Sequence, residues 1–224
     1  MDKILNDVTL VAISSIEIEK TINALIVSTD KLRFKKVLFL TDKEVLPPKP
    51  IEIVKINPIN DIMDFNRFCF FDLGDYIDTS HALLVQYHGF VINPQLWTDE
   101  WLNYDYIGAL WEIREGSYIA DNGEVVRVGN GGFSLRSRKL MQLPKKLGLE
   151  LKEEMGYYNE DGNICCYHRS TFLKEGINYA PVEIAKNFSF ETPVPENIGI
   201  KTFGFHRNLY PSNLNIKICT DRKG

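Results

Sequence analysis

Three residues break an apolar run. In HALLVQYHGFVINP (81–94), Gln86, Tyr87 and His88, followed by Gly89, separate Ala82, Leu83, Leu84 and Val85 from Phe90, Val91 and Ile92. A buried polar group with no partner costs roughly 1–3 kcal/mol. The interruption is therefore either satisfied inside the fold or emerges where it meets a ligand. Gln86 and His88 are two apart, which puts both on one side of an extended strand. A neutral imidazole suits Mn2+ or Zn2+, and an amide oxygen is a weaker hard ligand. A lone histidine in a strand is more commonly a satisfied structural residue.

Other residues with chemistry follow apolar runs in the same way. Ser14 and Ser15 follow VTLVAI, and Thr41 and Asp42 follow KVLFL. Their oxygens can bond a base or a ribose, and the same residue types form turns and cap helices. In VGNGGFSLRS (128–137), Gly131 and Gly132 permit close backbone approach, while Asn130 and Ser134 carry side-chain hydrogen-bonding groups. A strand follows these glycines, so a dinucleotide-type phosphate loop is a poor fit. A plain tight turn is the alternative. Arg136 and Arg138 could offset diphosphate charge or simply be solvated. Glu160-Asp161 opens a helical stretch, where a helix dipole stabilises carboxylates and where a catalytic base could also sit. Trp97, Trp101 and Trp111 read as core, with Trp111 at a strand end near the glycines and able to stack on a sugar. His168 reads as structural.

The elements that must position these residues alternate. Strands are expected over 8–15, 36–42 and 51–57, and the strand of 81–94 follows. Helices are expected over 16–32 and 61–77. Near-continuous apolar strands imply a sheet covered on both faces. Parallel strands would bring Ser14-Ser15, Thr41-Asp42 and Gln86–His88 to one rim, where open α/β sheets bind ligands. The second half is less regular: a short helix and a strand over 94–111, a hairpin turn at Asn122-Gly123, a helix from 138 broken by Pro144, a helix over 160–176, and a strand and short helix over 177–191.

Composition closes off several classes. The 224 residues carry a net charge of −4 with no basic cluster, which disfavours nucleic-acid binding. No apolar run of about 18 residues is present, so no membrane span is expected. MDKILNDVTLVAISS lacks the form of a signal peptide. Cys69, Cys165, Cys166 and Cys219 form no CxxC pair, so a zinc site or disulfide framework is not expected and a reducing, cytoplasmic setting is.

Taken in order, HALLVQYHGFVINPQLWTDEWLNYDYIGALW (81–111), VGNGGFSLRSRKLM (128–141), NEDGNICCYHR (159–169), INYAPVEIAKNFSFE (177–191) and FGFH (203–206) resemble glycosyltransferases of the GT-A fold, and most closely a family of uncharacterised glycosyltransferase-like domains. The resemblance covers nearly the whole chain. It implies an α/β, Rossmann-like fold: one domain over 1–224 with a mixed, mostly parallel sheet flanked by helices, a nucleotide-binding half (about 1–93) and an acceptor and catalytic half (94–224). It implies transfer of a sugar from a nucleotide-sugar donor to a glycan, lipid-linked glycan or other hydroxyl acceptor, in surface polysaccharide or glycoconjugate synthesis. The protein would be cytoplasmic or peripheral at a membrane, and could act beside other glycosyltransferase domains.

By the same resemblance Ser14, Ser15, Thr41, Asp42, Gln86 and Tyr87 would meet the nucleotide. Asn130, Gly131, Gly132, Ser134 and Trp111 would meet the sugars. Asp161, then Glu160, would supply the catalytic base of an inverting reaction. GT-A enzymes hold Mn2+ or Mg2+ on an Asp-x-Asp, and Gln86-Tyr87-His88 occupies that place here. His88 and His206 are then the metal candidates. The departure from Asp-x-Asp also raises the alternative of a non-catalytic nucleotide- or glycan-binding module. A nucleotidyltransferase is disfavoured because VAISSIEIEK lacks a glycine-rich basic loop.

Overall fold

The computed structural model describes residues 2–113, 118–153 and 159–207; Cys219 and the terminal CTDRKG lie outside them. Strand β1 (Lys3–Ile13) is central. Its inner residues are apolar in succession, and they alternate between two cores. Leu10 and Ala12 point to the face packed by Ile22 and Leu25 of helix α1 (Ile18–Ser28). Val11 and Ile13 point to the opposite face, under Phe65 and Cys69. Two buried faces explain why the strand lacks polar alternation.

Strands β2 (Leu32–Thr41), β3 (Ile51–Lys55) and β4 (His81–Val85) run parallel to β1. The sheet is completed by β8 (Ser134–Ser137), antiparallel to β4, and β5 (Tyr106–Ile107), giving the order β3-β2-β1-β4-β8-β5. The pair β6 (Ala109–Leu110) and β7 (Val128–Gly129) forms a separate antiparallel ribbon. Helix α2 (Ile62–Arg67) opens on the Asp61 side chain, which accepts from the N–H groups of Met63 and Asp64, and runs on through a π turn (Phe68–Asp72) and a 3-10 turn (Leu73–Tyr76). The 61–77 stretch is thus helical as its periodicity implies. Asn122-Gly123 does form a turn: Gly123 has φ +85 and Ile119 bridges Val125.

Two local expectations change. The apolar run from His81 does not continue as one strand. It ends at Val85, and Gln86 and Gly89 exchange backbone hydrogen bonds of 2.8 and 3.0 Å across Tyr87-His88, closing a two-residue turn. Helix α3 (Arg138–Leu147) is not broken by Pro144. Ser137 caps it through Leu140 N–H at 3.0 Å, and Leu140, Met141, Leu143 and Pro144 are all buried. Burial of that face outweighs the one hydrogen bond that proline forfeits.

The remaining elements are short: α4 (Glu160–Gly162), continued by a π turn to Tyr167, then α5 (Arg169–Lys174), α6 (Val182–Phe188), and the parallel pair β9 (Ser189–Phe190) and β10 (Gly204–Phe205). β10 also runs against the segment after the polar turn, with Val91 bridging Gly204. Arg207 N–H donates to the His88 carbonyl at 2.9 Å. That pairing lays the end of FGFH over the polar turn. Among the described residues no helix is long and apolar enough to cross a membrane.

Candidate active site

Two cavities meet at the carboxyl rim of the parallel strands. The first, about 290 Å3, is lined by Ser14, Ser15, Ile16, Asn60, Ile62 and Tyr87 among others. The second, about 300 Å3, is lined by Trp111, Asn130, Gly131, Asp161, Glu191 and His206 among others. Ile62, Phe65, Gln86 and His88 line both, so the polar turn forms the wall between them.

In the first cavity the serines are partly committed. Ser14 Oγ hydrogen-bonds the backbone of Ile16, and Ser15 Oγ accepts from Ile59 N–H at 2.8 Å. Ile16 and Ile62 are exposed at its mouth, and Lys20 stands 5.8 Å over the Tyr87 ring. An apolar rim with an aromatic and a few hydroxyls suits a nucleoside. Thr41 and Asp42, expected beside these residues, do not line the cavity. Thr41 is fully buried, and Asp42 pairs with Lys43 at 2.6 Å, which holds its carboxyl below the usual range, helped by the Ser15 hydroxyl.

In the second cavity Glu160 and Asp161 part company. Glu160 turns inward and meets Arg136 at 2.8 Å, both buried. Burial works against the guanidinium charge, but the Glu160 carboxylate, together with Tyr106 and Cys69, outweighs it and holds Arg136 firmly protonated. Arg136 also donates to Ser134 Oγ at 2.9 Å and to the Gly131 carbonyl at 3.3 Å. Arg136 is therefore neither solvated nor a diphosphate contact: it is the core brace of the glycine loop. Ser134 is fully buried with it, so its hydroxyl serves the brace. Arg138 is exposed at the start of α3.

Asp161 faces the cavity. Its Oδ2 accepts from Gly131 N–H and its Oδ1 from Gly162 N–H, both at 2.8 Å. Burial first, then the neighbouring Glu160 and Glu191 carboxylates, push its pKa up to about 7. A carboxyl poised near neutrality is what general-base work asks for.

Asn130 shapes the loop from within. It takes a left-handed φ of 72, which asparagine tolerates. Its carbonyl accepts from Tyr106 Oη and its Oδ1 from Phe133 N–H at 3.1 Å. The amide nitrogen then has one orientation, toward His206 Nδ1 at 2.9 Å. The two glycines make room for side chains. A Cβ on Gly131 would lie 1.8 Å from Glu160 Oε1, and one on Gly132 would lie 2.0 Å from His206 Nε2. Trp111 stacks on Tyr118 at 3.8 Å and closes one wall.

His88 and His206, 118 positions apart by their numbers in the sequence, come together with ring centroids 4.6 Å apart. Their chemistry does not fit a metal centre. Asn130 donates to His206 Nδ1, so His206 carries its proton on Nε2 and donates it to Gln86 Oε1 at 3.1 Å. No lone pair is left on that ring, and the Gln86 oxygen already accepts one hydrogen bond. Glu191 Oε1, 3.4 Å from the same Nδ1, becomes an ion-pair partner only when the ring gains a second proton. A metal-bound histidine ordinarily donates its other N–H to an acceptor. His88 Nδ1 is shielded from solvent with no such partner. Among the described residues no three His, Cys, Asp or Glu side chains gather as a metal site. Burial and then His206 push the His88 pKa down to about 4, so the ring is neutral at neutral pH.

Residues 51–206 match the profile of DUF5672, a family described as proteins of unknown function, and this span is well over half of the chain. The chain belongs to that family. No curated protein matches the sequence of this DUF5672 member. Among solved structures, galactosyltransferase LgtC in complex with donor and acceptor sugar analogs aligns over 88% of this chain and 86% of its own, at 17% identity and TM-score 0.53. An active-site mutant of LgtC aligns over 90% and 88% at TM-score 0.54 and 17% identity. A mannosyltransferase from Pyrobaculum calidifontis, in complex with GDP-Man and Mn2+, aligns over 78% and 54% at 10% identity and TM-score 0.45, too distant a match to argue from. The fold is accordingly α/β and GT-A-like.

Of the residues the sequence singles out, the structure brings Ser14, Ser15, Gln86, Tyr87, His88, Asn130, Gly131, Gly132, Trp111, Asp161 and His206 to the two adjoining cavities, and leaves Thr41, Asp42 and Ser134 outside them; the sequence reading places all three in the site. Glu160 lines the second cavity but is held by Arg136. Sequence reading missed Glu191, Ile62 and Phe65, whose neighbours in the chain gave no chemical signal.

Proposed function

We propose that this protein is a glycosyltransferase that moves a sugar from a nucleotide-sugar donor to a hydroxyl acceptor. The nucleoside lies in the cavity of Ser14, Ser15 and Tyr87, the diphosphate crosses the polar turn, and the sugar enters the cavity of Asn130 and Trp111. The observation that carries this reading is Asp161: a carboxyl near neutrality, fixed by Gly131 N–H, in a cavity that opens onto a nucleoside-sized neighbour. In the reaction the acceptor oxygen bonds to the anomeric carbon as the anomeric carbon–phosphate oxygen bond breaks. The diphosphate leaves with the electron pair, and Asp161 takes the acceptor proton. One such displacement inverts the anomeric centre. The GT-A-like fold supports the same class of reaction.

The test is release of nucleoside diphosphate by purified protein across a panel of nucleotide sugars and hydroxyl acceptors. Asp161→Asn should lower the rate by about 10²–10⁴-fold. The second reading, a non-catalytic binding module, is favoured by the absence of carboxylates in Gln86-Tyr87-His88. It predicts donor binding with no turnover on any acceptor.

A further inference from the structure

We infer that the donor diphosphate is held without a divalent cation, by the His88 imidazole directly; this rests on the nucleotide-sugar reading above. His88 is the one wall residue of the polar turn whose imidazole makes no hydrogen bond among the described residues. It lines both cavities, where a diphosphate joining a nucleoside to a sugar must pass. Its Nδ1 is shielded, so Nε2 is the nitrogen that meets a ligand. Nδ1 is unpaired in either tautomer, so the tautomer with the proton on Nε2 is the one in which the ring's N–H can be paired by a ligand. In that tautomer the ligand meets a donor, which suits a phosphate oxygen and not a metal ion.

The surroundings fix that imidazole. His206 packs against it at 4.6 Å and Tyr87 at 4.3 Å. His206 is itself held at both nitrogens, by Asn130 at 2.9 Å and Gln86 at 3.1 Å, and cannot turn to ligate without breaking one of them. Gly89 and Gly132 let the His206 ring sit this close, since a Cβ at either would strike it at 2.7 or 2.0 Å. Two basic side chains lie near the turn: Lys20, paired with Glu17 at 2.9 Å, stands over Tyr87, and the Arg207 guanidinium donates to the Glu191 carbonyl at 3.3 Å while its backbone N–H holds the His88 carbonyl.

The experiment is calorimetric titration of EDTA-treated protein with UDP, GDP, ADP, CDP and dTDP, in excess EDTA and in excess MnCl2. At least one diphosphate should bind in EDTA with a Kd within about threefold of its value in Mn2+. His88→Ala should weaken that diphosphate about tenfold or more and leave the parent nucleoside unchanged, because only a charge-assisted hydrogen bond is lost. His88→Gln keeps an N–H donor and should stay within about threefold. The two wild-type titrations decide the metal question even if a variant fails to fold. Binding seen only with Mn2+ overturns the inference and leaves the nucleotide-sugar reading standing. Metal-independent binding that His88→Ala does not weaken overturns the role of His88. Binding of no diphosphate under either condition overturns the nucleotide-sugar reading, and the inference with it.

Discussion

Replacing Asp161 by asparagine should make the protein more stable above neutral pH while slowing transfer by about 10²–10⁴-fold. In an unfolded chain an aspartate ionises near 3.8, and in the folded protein this one ionises near 7. Between those pH values the folded state binds more protons than the unfolded state, so stability falls as pH rises from about 4 and levels off above about 7. At about 1.4 kcal/mol for each tenfold difference in proton affinity, the charged carboxylate costs on the order of 4 kcal/mol above pH 7. The side chain is partly exposed, and solvent screening lowers this to about 2–3 kcal/mol. Asparagine carries no charge and, like the protonated carboxyl, offers one oxygen acceptor to the Gly131 and Gly162 N–H groups. A gain of about 2–3 kcal/mol raises the melting midpoint by about 4–12 °C in a chain of this size. The assay is the midpoint of wild type and variant across pH 4 to 9. The gain should be absent near pH 4 and full near pH 8. Wild-type transfer should fall as pH drops through about 7, as the base becomes protonated. A difference between the two proteins that is flat with pH would refute the perturbed carboxyl, and with it the case for Asp161 as base.

The brace behind the loop predicts a double-mutant cycle. Arg136→Met strands the buried Glu160 carboxylate and should cost about 3–5 kcal/mol in urea denaturation, whereas the double variant Arg136→Met with Glu160→Leu should recover much of it. Gly131→Ala forces a methyl into the Glu160 carboxylate and should cost about 1–3 kcal/mol and most of the activity, read by denaturation midpoint and nucleotide release. Tyr87→Ala should weaken the preferred nucleoside diphosphate about tenfold by calorimetry, through loss of an aromatic wall. Asp42→Asn, outside the cavity, should leave that affinity unchanged.

The parallel half of the sheet was legible because its signal is local. VTLVAI and KVLFL are buried on both faces, and runs of that kind have few other homes. The polar turn was not legible. Tyr87-His88 has none of the Asn-Gly chemistry that marks a two-residue turn. What closes it is the pairing with Gly204–Phe205 and Arg207, far along the chain. Pro144 misled for a similar reason: its local penalty is real, but a buried helix face carries the chain past it.

The site divides along the same line. Residue type and spacing pointed to His88 and to the Glu160-Asp161 pair, and the GT-A resemblance to His206 and to Asp161 ahead of Glu160, but neither could say what the histidines face or why the two carboxylates differ. Both answers come from partners. Arg136, 24 positions before Glu160, takes that carboxylate into the core and so leaves Asp161 as the free acid of the pair. Asn130, its amide fixed by Phe133 N–H, decides which nitrogen of His206 holds the proton, and Gln86 spends it. Once those two bonds exist, His206 orients and His88 binds. An Asp-x-Asp would attract a cation at the same rim, whereas an imidazole with its donor outward attracts the anion itself. In the proposed reading the turn meets an anion where an Asp-x-Asp would meet a cation, and Asn130 and Gln86 hold His206 beside it.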